Sequence, residues 1–442
     1  MRKMSKLVLI SLALLLIVAG CSNNGNSPSN DGSESPSNSG GSQNGESIEL
    51  TFQHIGGTVP AQTEVLNEMA AAFSEQNPGV TVKVVNVGWG EAYSMFQRQV
   101  AVGQAPDLVM LTGQWASEYQ KLGAFAPVDD LVSDEVLDIF LESGFVKGED
   151  GKIYGLPWDG SIWSFFYRTD LFEAAGLDPA SPPQDWNEML EYAQALTSGD
   201  QYGLVIPAAG WEPDDYFLPF MWQAGNEVAI QDGDGWVSDI GSESGLAAAQ
   251  YIYDLTNTHQ VMPKTVTGMD WEGAANAFVS GNAAMMFNGM WVANSLLDNE
   301  ELDGKWATAV SPAGPAQSAV LGYPNTLHIT EQSEHKEVVG KLLEFIFAGD
   351  GEGPTYYDRF CEVTGVVGWT KEFSSTEFAQ NPVFQPFVEQ VPVSYNRPIV
   401  PQYEEFRQIH FNPAIQDLIL GNITPEAFVQ SMDEKFNELL AQ

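Results

Sequence analysis

Residues 157–161 read Pro-Trp-Asp-Gly-Ser, and the Trp158–Asp159 pair inside them can do specific chemistry. An indole presents a flat apolar face, and a carboxylate presents two acceptors for hydroxyl groups. Side by side at a Pro–Gly kink, they suit a ligand with apolar faces and hydroxyl edges. A core tryptophan beside a turn aspartate would give the same letters, so the pair alone leaves both readings open. A second stretch, Trp211-Glu212-Pro213-Asp214-Asp215-Tyr216-Phe217, again mixes aromatics with acids. Asp214-Asp215 and Glu404-Glu405 are candidate paired carboxylates for glycoside hydrolysis. Adjacent acids usually point apart, which counts against that use. Gly241-Ser242-Glu243-Ser244-Gly245 has Glu where a nucleophile elbow needs Ser. No His-Glu-x-x-His and no Gly-x-x-x-x-Gly-Lys occurs. Asp232-Gly233-Asp234-Gly235 reads as a hairpin turn and lacks the later ligands of a calcium loop. The expectation is a binding protein rather than an enzyme, with no metal and no cofactor.

The elements that must position these residues follow from periodicity. Ile162–Tyr167 is short, aromatic and β-branched, so it reads as a buried strand. Asp170 is placed to cap a short helix that Gly176 ends. Upstream, Ile48–His54 alternates as a strand, and a helix opening at Pro60 puts Val65, Met69 and Phe73 on one face. Val80–Val87 and Leu108–Leu111 are further strands, with a helix carrying Tyr93, Phe96 and Val100 between them. Downstream, Trp186–Leu196 and Lys336–Phe347 read as helices, and Ala283–Phe287 and Val320–Ile329 as strands. Thr424 caps a last helix that opens at Pro425. Strands alternating with helices predict a mainly parallel, layered α/β sheet. Ligands of such sheets sit beyond the carboxyl ends of strands. Here those ends are His54-Ile55-Gly56-Gly57 and Thr112-Gly113-Gln114-Trp115.

The chain has 442 residues, enough for two domains after its first 46. Arg2, Lys3 and Lys6 precede an apolar run, Leu7–Ala19, too short for a spanning helix and flanked as a secretory signal. Residues 22–46 contain only Ser, Asn, Gly, Pro, Gln, Asp and Glu, the composition of a flexible tether. The only cysteines are Cys21 and Cys361, so no intramolecular disulfide is expected once Cys21 is committed elsewhere. The formal charge is −41. Nucleic acid and anionic lipid headgroups are poor partners for it.

Val18-Ala19-Gly20-Cys21 resembles a bacterial lipobox. That resemblance implies cleavage before Cys21, palmitate-type lipidation of its thiol, and an extracytoplasmic protein anchored to the outer face of the cell membrane. A larger resemblance runs from about residue 48 to 442. It rests on Ala105-Pro106-Asp107-Leu108-Val109, Tyr154-Gly155-Leu156-Pro157, Tyr167-Arg168-Thr169-Asp170-Leu171-Phe172, Ala175-Gly176-Leu177, Trp186-Asn187-Glu188-Met189 and Phe278–Trp291, centred on Gly281-Asn282-Ala283-Ala284-Met285. These resemble the sugar-binding, maltose-binding-like extracellular solute-binding proteins of bacterial ABC importers. The resemblance implies a two-lobed α/β fold of the periplasmic-binding-protein type, with a ligand cleft between the lobes. Three hinge crossings would fall near Trp158–Gly160, Gly322–Asn325 and Gly353–Tyr357. Residues 1–20 would be the signal and 21–46 the anchor and linker. Lobe 1 would be 47–158 with 324–355, and lobe 2 would be 159–323 with 356–442.

The same resemblance puts His54, Gln114 and Trp115 at the cleft from the first two loops, and Trp158, Asp159 and Ser161 from the hinge. From the second lobe it puts Trp211, Glu212, Asp214, Asp215, Asn288 and Trp291 there, with Tyr323 and Glu404 as weaker candidates. The first loop has no Asp-Lys pair and Gln114 stands near an expected carboxylate, so maltose itself is in doubt. The implied function is delivery of a mono- or oligosaccharide by a monomeric lipoprotein to the permease subunits of an ABC transporter, through hinge closure. The alternatives are a non-sugar solute, such as a polyamine or peptide, and a secreted glycosidase. An anion would need Arg or Lys at the cleft, and the candidate loops contain none.

Overall fold

The structure is a computed structural model that describes residues 47–56, 60–233, 235–349, 354–400 and 402–441. The signal, the tether and Cys21 lie outside the described residues.

Seven strands make one hydrogen-bonded path. Their order is Val80–Val87, Ile48–Ile55, Leu108–Thr112, Val320–Ile329, Ile153–Tyr167, Ala283–Gly289 and Tyr202–Val205. The wings are parallel, as alternating strands and helices demand. The middle is not: Val320–Ile329 runs antiparallel to Leu108–Thr112 and to Ile153–Tyr167, which is antiparallel to Ala283–Gly289. A mainly parallel sheet is therefore only half right. Two long strands cross the middle in opposite directions, pair with each other, and each pairs with one wing.

Ile153–Tyr167 shows this directly. Its first part, Leu156–Asp159, pairs with Leu327–Asn325, and its last part, Trp163–Tyr167, pairs with Gly289–Met285. The register shifts between them: Asn325 opposes Asp159 and Thr326 opposes Pro157, leaving Trp158 as the extra residue of a bulge. Gly160 follows at a close approach. Its backbone bonds that of Val367 in both directions, and a Cβ there would come within 2.4 Å of the Trp369 ring.

The buried side chains fall into two clusters. One gathers around Phe52, Phe73, Leu111, Trp158 and Leu342, the other around Phe165, Met189, Phe217, Tyr403 and Phe436. Helices form largely where the periodicity puts them. Trp186–Leu196 has the predicted bounds, and the Thr424 hydroxyl accepts the Ala427 N–H at 3.3 Å. Gly176 closes the helix Thr169–Ala175 with φ 78°. Asp170 does not cap that helix. Arg168 holds the cap position, and Asp170 accepts from its guanidinium and from the Leu171 N–H.

Two expectations need correcting. The acid–aromatic stretch after Trp211 is not a loop: Pro213 opens the helix Pro213–Gln223, and every one of its residues is buried. The third crossing does not fall at Gly353–Tyr357, and the chain from 356 onward does not all join the second lobe. The helix Tyr356–Thr364 packs on Pro60–Gln76, and its Tyr357, Phe360 and Cys361 sit in the first core. The chain passes the junction at Val367 and joins the second core from Val400. An amphipathic helix carries no label saying which core its apolar face will meet, so periodicity alone could not assign it.

Trp158 is a core residue. It lies on Phe360 at 4.4 Å between ring centroids, and its Nε1 donates to His54 Nε2 at 3.1 Å. Trp158→Ala should cost about 3–5 kcal/mol through the cavity it leaves. Urea unfolding of this variant should show a clearly lower midpoint; an unchanged midpoint would contradict the core placement.

Candidate functional site

A cavity of about 130 Å³ lies where the two crossing strands meet both cores. Successive residues of a strand point to opposite faces, so Asp159, Ser161 and Trp163 share one face. All three line the cavity. Trp158 and Ile162 point the other way, into the first core. Trp158 and Asp159 therefore cannot both face a ligand, and the pairing expected from the sequence is broken by strand parity. Parity also reveals what was missed: counting by two from Asp159 reaches Trp163, which had been read only as part of an apolar strand.

From the second half come Trp211, Glu212, Asp215, Tyr216, Trp271 and Trp291. The Trp291 indole meets Trp163 edge-on at 5.1 Å and Trp271 at 6.2 Å. Gly289 makes that pose available, since a Cβ there would sit 2.0 Å from the Trp291 ring. Tyr323 and Asn325 come from the crossing strand Val320–Ile329. Gln62, Trp89 and Thr364 close the first-core side. Trp89 stacks on Trp211 at 6.2 Å and 18°.

Seven of the fourteen residues expected at the cleft thus line the cavity: Asp159, Ser161, Trp211, Glu212, Asp215, Trp291 and Tyr323. The rest do other work. His54 shares the core face of its strand with Phe52 and contacts Phe360 at 5.3 Å. Burial pushes its imidazole down to about 3, so it stays neutral. Gln114 is buried in the first turn of Gly113–Lys121 and is not a wall. Trp115 packs on Tyr93 at 5.4 Å, and its Nε1 donates to Glu404 at 3.4 Å, tying the two halves together. Asn288 is buried, and its amide donates to the Trp271 carbonyl at 2.9 Å, which positions a wall indole.

Asp214 and Glu404 are held in an ion-pair network behind the wall. Asp214 meets Arg407 at 3.0 Å and Arg397 at 3.2 Å, and Glu404 meets Arg407 at 3.2 Å. Arg397 also pairs with Asp215 and donates to the Tyr323 hydroxyl at 3.1 Å. It lies against the Trp211 and Tyr323 rings at 5.9 and 5.5 Å. So cations do stand beside the site, contrary to the reading of the loops; they come from residues 397 and 407, far along the chain. Adjacent Asp214 and Asp215 do not point apart as expected: both reach the Arg397 guanidinium, which bridges them, while Glu405 is exposed.

The carboxylates differ in charge state. Burial alone would raise Asp214, but the guanidiniums of Arg407 and Arg397 overcome it and hold the group low. Burial pushes Asp159 up to about 7 against a hydrogen bond from the Asn325 amide at 2.5 Å. Burial, with Asp215 beside it, pushes Glu212 up to about 8. Burial lifts Asp215 to about 7, with Arg397 pulling against it.

Residues 58–351 match the profile of a family described as bacterial extracellular solute-binding protein. A Brucella abortus protein, named for binding without a stated ligand, is 28% identical over 378 residues, covering 84% of this chain and 89% of that protein. A lactose-binding protein of Rhizobium radiobacter is 23% identical, covering 72% of this chain and 74% of its own length. Among solved structures, maltose-bound T. maritima MalE3 superposes with a TM-score of 0.76 at 23% identity, over 89% of this chain and all of that one. That likeness shows the same two-lobed fold.

The raised acids make stability depend on pH. Asp159, Asp215 and Glu212 bind protons more tightly folded than unfolded, where carboxyls titrate near 4. Raising the pH from about 6.5 to 8.5 should therefore lower the melting temperature of the ligand-free protein by a few degrees. Below about 6.5, His54 and His328, both held down to about 3, act in the opposite sense and blunt the trend. Asp214, held low, contributes stability that is lost only in acid. Glu212→Gln should flatten the slope between pH 6.5 and 8.5; a slope as steep as the parent's would mean that Glu212 is already ionised in the fold.

Proposed function

We propose that this chain, which belongs to the family of bacterial extracellular solute-binding proteins, captures a carbohydrate outside the cytoplasm and hands it to the permease subunits of an ABC transporter. The observation that carries this reading is the wall itself. Indoles from both halves, Trp89, Trp163, Trp211, Trp271 and Trp291, surround a space also lined by Asp159, Glu212, Asp215 and Asn325. Sugar rings pack their C–H faces on indoles, and their hydroxyls need planar acceptors and donors. The relatives support it: one is named for lactose and a solved neighbour holds maltose. The cavity has room for on the order of ten waters. That favours one or two sugar rings over a long chain. Ligand release would open the halves about the crossing strands, separating Trp89 from Trp211 and Trp115 from Glu404. Hydrolysis is disfavoured, because Asp214 and Glu404 are committed to arginines.

A carbohydrate library screened by thermal shift should raise the melting temperature with at least one mono- or disaccharide. Trp291→Ala should weaken that ligand by about tenfold or more through lost stacking. Gly289→Ala should do the same, since its methyl would displace the Trp291 ring. If both folded variants bind like the parent, Trp291 is not part of the site.

The anchor is proposed on the sequence alone. Cleavage before Cys21 and lipidation of its thiol would leave residues 22–46 as a tether, and no described helix is long and apolar enough to cross a membrane. Cys21→Ser should move the protein from the detergent phase into the medium or leave it uncleaved. Unchanged partitioning would refute lipidation.

A further inference from the structure

Among the described residues, two of the acids at the cavity, Asp159 and Glu212, are paired with no cation. Arg397 and Arg407 are both committed to Asp214, Asp215 and Glu404. Asp159 and Glu212 receive only neutral donors: the Asn325 amide at 2.5 Å and the Trp271 N–H at 3.2 Å. Both acids are buried, at 3% and 6% exposure, and both line the cavity. Asp159 is the less compensated, because no charged side chain contributes to its environment. Beside it, Asn325, which lines the same cavity, spends its NH2 on Asp159, while its buried Oδ1 has no hydrogen-bond partner among the described residues. Asp159 and Asn325 thus place a carboxyl group and an unspent amide acceptor beside an aromatic-lined space.

A hydroxyl is a poor match for that seat, since it brings one donor and two lone pairs. An ammonium brings three N–H donors, no lone pair and a positive charge. Hydrogen bonds from a charged donor to a carboxylate are about twice as strong as neutral ones. Indole faces attract the same charge. An isolated carboxylate in such a place is costly. A cation from the ligand removes that cost.

Resting on the carbohydrate reading, we propose that the ligand is an amino sugar, seated with its protonated amine on Asp159 and Asn325 and its ring against the indoles. Neutral sugars then bind as weaker analogues.

The test is calorimetry on the purified chain with glucosamine against glucose and N-acetylglucosamine, galactosamine against galactose and N-acetylgalactosamine, and spermidine as an amine without a ring. The expected result is that one amino sugar binds about tenfold or more tightly than both its hydroxyl and its acetylated counterparts. Asp159→Asn, which keeps the shape and the contact to Asn325, should erase that advantage, so that the amino sugar binds no more tightly than its neutral counterparts. Neutral sugars that bind as tightly as amino sugars would overturn the inference and leave the carbohydrate reading standing. Binding of spermidine with no sugar would overturn both. Equal loss of charged and neutral sugars in folded Asp159→Asn would make Asp159 an ordinary hydroxyl acceptor and overturn the inference. The comparison on the parent chain decides the matter even if the variant fails to fold.

Discussion

The site depends on one constraint: two strands, Ile153–Tyr167 and Val320–Ile329, run antiparallel through the junction of both cores. A strand can show only alternate residues to each side. The bulge at Trp158 shifts the register against the partner strand but leaves that alternation running, with Leu156, Trp158 and Ile162 on the first-core face. As a result Trp158 fills the first core, while Asp159, Ser161 and Trp163 face the cavity. Tyr323 and Asn325 reach the same space from the partner strand, again two residues apart. Gly160 lets a third segment, at Val367, bond to the same point. Trp369 occupies the space a side chain at residue 160 would need.

Electrostatics then sorts the acids that this geometry collects. Two buried guanidiniums hold Asp214 ionised and anchor Glu404. Burying such pairs is expensive, and their retention fits a role in fixing geometry more than in adding stability. Arg397 holds Asp215, Trp211 and Tyr323 in one arrangement at the cavity wall. Asp159 and Glu212, without such partners, are left with raised pKa values and unspent acceptor capacity. The part of the wall left with unspent acceptors is thus the part that the described arginines do not serve.

The sequence alone determined the local elements and the class of site. Alternation, capping residues and glycine stops placed most strands and helices, because those signals are local. Composition of the loops showed aromatic–acid chemistry, and seven of the fourteen candidate residues do line the cavity. Tertiary structure decided the remainder. Whether His54, Trp158 and Asn288 face core or cavity depends on which face of each strand meets a core, and only the packed neighbours fix that. Whether Tyr356–Thr364 serves the first core or the second depends on which apolar face it meets. The arginines beside the cavity come from 397 and 407, some 180 to 190 residues from the aspartates they hold. Such pairing leaves no trace in local sequence, because it is made by packing between segments that share no periodicity. Residue types are local facts, but the direction a side chain faces and the charge it meets are set by neighbours distant along the chain.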